Sequence, residues 1–254
     1  MSYTETPHSE QAAGPAMSTP ETLTNIFFDP GTTFEALRAR PRFLVAALIM
    51  IGLTLLGATL LFQRVDFNKV VRQAMESNPR AAQMSPEDKE RAIAMQSKPV
   101  FRYIFQTAPA VGVAIMIAAG AGLYLLGTML MGGRMSYRQA LSVWTYSSFA
   151  PGLLQSILTI VLLYVKSPDD LDFSRPGAGL LVTNLGALLG AGASPVLRGA
   201  LSWFDLFTFY GMFVAATGLR IVGRLSSGAA WTIVLGLWLL CVLFAVARAA
   251  LFGG

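Results

Sequence analysis

Polar and apolar positions along this chain fall into long blocks rather than short periods. Phe43–Phe62 is a run of 20 residues without a charge. At about 1.5 Å of helix rise per residue, such a run crosses a hydrocarbon core roughly 30 Å thick. Further apolar blocks predict crossings at Ala108–Met131, Ala140–Val165, Leu201–Val222 and Ala229–Phe252. Gly177–Gly192 is apolar and glycine-rich but only 16 residues long, below the roughly 17–25 of a crossing. It reads as interfacial or re-entrant, with a sixth crossing as the alternative. The fold class predicted is all-α: a polytopic membrane helix bundle with five transmembrane helices and one short re-entrant or interfacial segment.

The polar blocks carry their own signals. Between Gln63 and Gln106, Ser85-Pro86-Glu87-Asp88 combines an N-cap, a first-turn proline and two carboxylates that suit a helix N-terminus, predicting a helix over Pro86–Gln96. A second helix over Val65–Ser77, stopped by Asn78-Pro79, would complete an extramembrane helical hairpin at about 63–106. Met1–Pro20 has neither a positive start nor an apolar core, so it does not read as a cleavable signal peptide. Residues 1–22 are expected to form a disordered cytoplasmic lead, and 23–252 a single membrane domain.

Inside the second span, Gly112, Ala118, Gly120, Gly122 and Gly127 predict close helix contact, with Ala118 and Gly122 at four-residue spacing. Pro151-Gly152 should kink the third span, because proline donates no backbone hydrogen bond.

Composition agrees with the pattern. Hydrophobic residues make up 54% of the chain and charged residues 13%, where soluble domains carry about 25% charged. A net charge of +5 could suggest nucleic acid, but the arginines and lysines border apolar runs, which is where headgroup and topology residues belong. No nucleic-acid role is expected. Arg38, Arg40, Arg42, Arg134, Arg138, Arg220 and Arg224 would share one face in short segments, as on a cytoplasmic side. The loop 63–106 opposes this with eight Lys and Arg on the other face. The orientation adopted puts the amino terminus in the cytoplasm. The lone Cys241 lies in an apolar run and the lone His8 in the lead, so no disulfide, metal set or histidine chemistry is expected.

Asp205 is the one acid near an apolar span and hence a functional candidate. It sits about one turn from the interface, where a helix cap or an arginine partner also accounts for it. Asn184 and Gln155 could hydrogen-bond across helices. Pro151 could mark a broken-helix site of the transporter sort or a packed kink. The cluster Phe27-Phe28…Phe34 could dock a partner, or form an amphipathic helix, Thr32–Ala39, lying flat on the bilayer, the reading preferred here. Trp203, Trp231 and Trp238 suit an aromatic belt or packing. No phosphate loop, nucleophile elbow or cofactor motif is present.

Particular residues resemble the Yip1 domain family of five-span membrane proteins. Ile26-Phe27-Phe28-Asp29-Pro30-Gly31-Thr32-Thr33-Phe34 is similar to the start of bacterial members, making Phe28, Pro30 and Phe34 candidates. Tyr137-Arg138-Gln139-Ala140-Leu141-Ser142-Val143-Trp144-Thr145-Tyr146-Ser147-Ser148-Phe149-Ala150-Pro151 resembles the family's third span, adding Tyr146 and Pro151. Leu201-Ser202-Trp203-Phe204-Asp205-Leu206-Phe207 resembles its fourth. The resemblance runs from about Leu23 to Leu251 and implies a non-enzymatic membrane protein that binds lipid, other membrane proteins or itself. The longer acidic amino-terminal motif of eukaryotic members, which act with Rab GTPases, is replaced by Phe28-Asp29-Pro30-Gly31, so GTPase binding is not carried over. The alternative function is a small membrane transporter or channel subunit using Pro151, Asn184 and Asp205.

Overall fold

The computed structural model describes residues 17–76, 78, 81–167, 180–190 and 192–252. Helices fill almost all of it: α1 (Thr19–Asn25), α2 (Pro30–Ala39), α3 (Leu44–Arg64), α4 (Phe67–Glu76), α5 (Pro86–Gln96), α6 (Pro99–Leu130), α7 (Tyr137–Val165), α8 (Pro195–Leu201), α9 (Leu206–Val222) and α10 (Ser227–Phe252). The protein is an all-α polytopic membrane bundle. Four helices, α3, α6, α7 and α10, are long and apolar enough to cross a membrane, and α9 is a shorter apolar helix. Their outward faces are apolar: Leu48, Ile115, Met129, Leu158, Val161, Leu240 and Phe244 are all exposed, the condition of a helix solvated by lipid.

The bundle is built around α9, which packs on α7, α2 and α10, while α3 packs on α6 and α7. Its 17 residues span about 25 Å, the short end of a crossing. The crossing expected from Leu201 therefore starts later, at Leu206. The chain leaves helical geometry between Ser202 and Asp205 because Asp205 adopts an extended backbone and caps the helix that follows.

Consecutive long helices run antiparallel, so their ends collect on two faces. One, the turn face, holds α1, α2 and the turns at 131–136 and 223–226, which meet where Arg134 N–H donates to the Gly223 carbonyl (3.0 Å). The other, the hairpin face, holds α4, α5 and the segment 180–205. On it, Arg72 pairs with Glu90 at 2.9 Å between α4 and α5, above a small core of Phe67, Val71, Met75, Ala81 and Ile93.

Several expectations are corrected. The lead does not run to residue 22: Ser18 and Glu21 form a reciprocal capping box that starts α1 at Thr19, a signal that is local and short. Residues 1–16, His8 among them, lie outside the described residues, as do Ser77 and Pro79 of the expected helix stop. The hairpin ends near Lys98, because α6 begins at Pro99 and is 32 residues long, about 48 Å and longer than the hydrocarbon core. Of the small residues in α6, Gly120 and Gly127 make close side-chain contacts and Gly122 does not, while the exposed Ala118 meets α7 through its carbonyl, which accepts from the Tyr137 hydroxyl (2.9 Å). A Cβ on Gly120 would clash with the Trp144 ring and one on Gly127 would lie 2.9 Å from Ile233, whereas Gly122 faces open space. Pro151 lies inside the continuous helix α7, an observation that neither corrects nor supports the expected kink. Of the stretch 177–192, the described part holds a 3-10 turn at Leu185–Leu188 and no crossing; residues 177–179 and 191 lie outside the described residues.

Candidate functional site

The amino-terminal motif is a helix start followed by an anchor. Asp29 caps α2 by accepting from the Thr32 N–H (3.0 Å) and the Thr32 hydroxyl (2.5 Å), and Pro30 occupies the first turn, where its missing N–H has no intrahelical role. The Thr32 hydroxyl and backbone bonds hold the Asp29 carboxyl below the usual carboxylate range. One turn on, Thr33, Phe34, Ala36 and Leu37 form the buried face of α2.

That face meets protein, not lipid. Phe34 is 0% exposed, and its ring fills the space a side chain at Gly218 would need: a Cβ there would lie 2.8 Å from both Phe34 Cζ and Val143 Cγ1. The carboxyl end of α2 is pinned by Gln139, whose Nε2 donates to the Arg38 carbonyl (2.9 Å), and by Arg38 Nη1, which donates to the Ile221 carbonyl (3.4 Å). The expectation of a helix lying flat on the bilayer is thus corrected: α2 is wedged against α9 and α7. Phe28, by contrast, is 87% exposed.

Tyr146 and Pro151 lie along the same seam. Tyr146 is buried with its ring 6.3 Å from Phe149, which in turn meets Phe27 at 6.0 Å. Pro151 is buried with Cγ 3.3 Å from the position of a Cβ on Gly211. Phe34, Tyr146 and Pro151 therefore belong to one core between α2, α7 and α9.

Asn184 and Asp205 are brought together elsewhere, on the hairpin face, as an isolated antiparallel bridge. The Leu185 N–H donates to the Phe204 carbonyl at 3.1 Å. Asp205 Oδ1 accepts from the N–H groups of Phe207 (2.9 Å) and Thr208 (3.1 Å), and Oδ2 from the Thr183 hydroxyl. Asn184 Oδ1 accepts from the Ala187 N–H at 2.9 Å, capping the 3-10 turn. Both side chains are occupied with caps. Trp238 ties the segment to α10, its Nε1 donating to the Trp203 carbonyl (3.1 Å).

The turn face carries a cationic rim. Arg38, Arg40, Arg134, Arg138, Arg220 and Arg224 are exposed and Arg42 is half-buried; among the described residues none of the seven is ion-paired. Arg224 has φ +54°, a left-handed conformation that favours glycine and costs a residue with a Cβ roughly 1–2 kcal/mol. It occupies the position just beyond α9 in a Schellman-type end, where the Leu225 N–H reaches back to the Arg220 carbonyl at 3.1 Å. Neither that geometry nor the Phe34–Gly218 contact has a sequence signal of its own, since an isolated Arg or Gly in an apolar context does not declare its φ or its neighbour. Among the described residues no group of three or more His, Cys, Asp or Glu is placed to hold a metal ion.

Compared with known proteins, the family model described as the Yip1 domain matches residues 24–248. No curated protein and no solved structure matches the chain.

Proposed function

Because the chain belongs to the Yip1 domain family of membrane proteins, we propose that it is a non-enzymatic organiser of the membrane, binding anionic lipid, other membrane proteins or a second copy of itself. The observation that carries this reading is the set of seven arginines on the turn face, exposed or half-buried and without carboxylate partners among the described residues. Basic residues at a membrane surface attract anionic headgroups by about 1 kcal/mol each, and the same rim suits an acidic segment of a partner. On this reading the turn face is cytoplasmic, the side on which arginine-rich short segments collect.

A transport role finds less support. Asn184 and Asp205 spend their carboxyl and amide oxygens on helix caps, and Pro151 is packed in a continuous helix. Affinity purification from mild detergent tests the binding reading. It predicts a recurring membrane-protein partner, a self-assembly or enrichment of anionic phospholipid. A monomer purifying alone with lipid of bulk composition contradicts it, as does solute flux in proteoliposomes that Asp205→Asn abolishes.

A further inference from the structure

On the hairpin face, away from the arginine rim, the ends of α3, α4 and α6 enclose a cleft of about 670 Å³ lined by residues that include Arg64, Asp66, Asn68, Arg102, Tyr103 and Gln106. That volume lies within the range of roughly 300–1,000 Å³ typical of small-molecule sites and exceeds what a bare ion needs. We propose that this cleft binds the phosphodiester headgroup of an anionic phospholipid.

The charges fit an anion. Two arginines, Arg64 and Arg102, line the cleft against a single acidic residue, and that residue's carboxylate is already engaged, Asp66 Oδ1 accepting from the Asn68 N–H (2.9 Å) and Nδ2 (3.3 Å). Each guanidinium is held by one of its five donors. Arg102 Nη2 donates to the Phe62 carbonyl (3.0 Å) and Arg64 Nη1 to the Leu163 carbonyl (2.8 Å), with Arg64 also over the Tyr164 ring at 4.9 Å. The Phe62 anchor restricts Arg102 and, among the described residues, leaves its other donors for phosphate oxygens, while Arg64 adds its positive charge at the edge of the cleft. Gln106 is similarly fixed, Nε2 donating to the Thr59 hydroxyl at 2.6 Å.

Depth selects a lipid over a dissolved anion. The cleft sits where the apolar run of α3 ends and that of α6 begins, the level of headgroups. Its α6 wall continues into exposed Tyr103, Ile104 and Phe105, an apolar rim suited to the glycerol and acyl chains with an aromatic ring at the interface.

Native mass spectrometry of the full chain in mild detergent, with phosphatidylglycerol, phosphatidylcholine or inorganic phosphate added, tests the site. Wild type is expected to retain phosphatidylglycerol over phosphatidylcholine, and Arg102→Gln to lose one bound lipid, its affinity falling about tenfold. Asp66→Asn keeps a side-chain cap for α4 while removing the one negative charge, so it is expected to bind more tightly, a gain that no folding defect produces. Arg138→Gln with Arg224→Gln alters the opposite face and is expected to leave this lipid in place. Equal retention by wild type, Arg102→Gln and Asp66→Asn overturns the proposal and leaves the arginine-rim reading standing. Saturation by inorganic phosphate with exclusion of the lipid also overturns it.

Discussion

At the scale of single residues, the contact between Phe34 and Gly218 holds the amino-terminal helix to the bundle. Phe34→Ala empties a fully buried site and is expected to cost about 3–5 kcal/mol. Gly218→Ala places a methyl 2.8 Å from the ring and is expected to cost about 1–3 kcal/mol by overpacking. Both are measured as shifts in detergent unfolding midpoint. Arg224 makes the opposite prediction. Arg224→Gly relieves φ +54° and should raise stability by about 1 kcal/mol, while removing one charge from the rim and weakening anionic-lipid retention. Asp29 adds a pH dependence: its carboxyl is held low by Thr32, so the stability it contributes is present above the ordinary carboxylate pKa and lost as pH falls through its lowered value. Thermal unfolding of wild type against Asp29→Ala should converge in acid and diverge near neutrality. The roles of Phe34, Gly218 and Arg224 could not be read from residue type. Phe34 carries the same hydrophobicity whether its helix faces lipid or protein, and only the partner, Gly218, decides.

At the scale of elements, what was legible depended on whether a helix is stated by its own residues. The span of 20 charge-free residues, observed as Leu44–Arg64, and the helix opened by Ser85-Pro86, observed as Pro86–Gln96, announce themselves through length and caps. The start of α9 did not. Ser202–Asp205 is apolar enough to pass as part of a span, and its break depends on Asn184 and Thr183 pairing from across the chain. Asp205→Ala is expected to cost about 1 kcal/mol for the cap, whereas Asp205→Asn retains it. Gln155 carries a further prediction at this scale. It is exposed on α7 roughly three residues from the midpoint between Arg138 and Lys166, about 4.5 Å along the axis, where lipid offers no hydrogen bond. An amide can both donate and accept, so under the proposed self-association a second copy's Gln155 can supply its partner. Gln155→Leu should weaken self-association by about 0.6 kcal/mol, up to about 1.7, read as a shift in the dimer fraction by cross-linking in bilayers.

For the whole molecule, five apolar helices with short turns on one face, and with α4, α5 and the segment 180–205 on the other, give a polarised body. The turn face presents arginine around a wedged α2 and exposed Phe28; the hairpin face presents two capped, folded segments and a cationic cleft. Such a body can hold its place in a bilayer and meet different partners on its two sides. Reporter fusions at Ser85 and at Gly254 are expected to mark the non-cytoplasmic side. The most direct test of the binding account is the lipid that stays with the protein. Wild type and a variant with Arg38, Arg134, Arg138, Arg220 and Arg224 changed to Gln are purified in mild detergent, and their retained phospholipids are quantified against the source membrane. The account predicts anionic enrichment in wild type that falls in the variant; equal, bulk-like composition in both contradicts it.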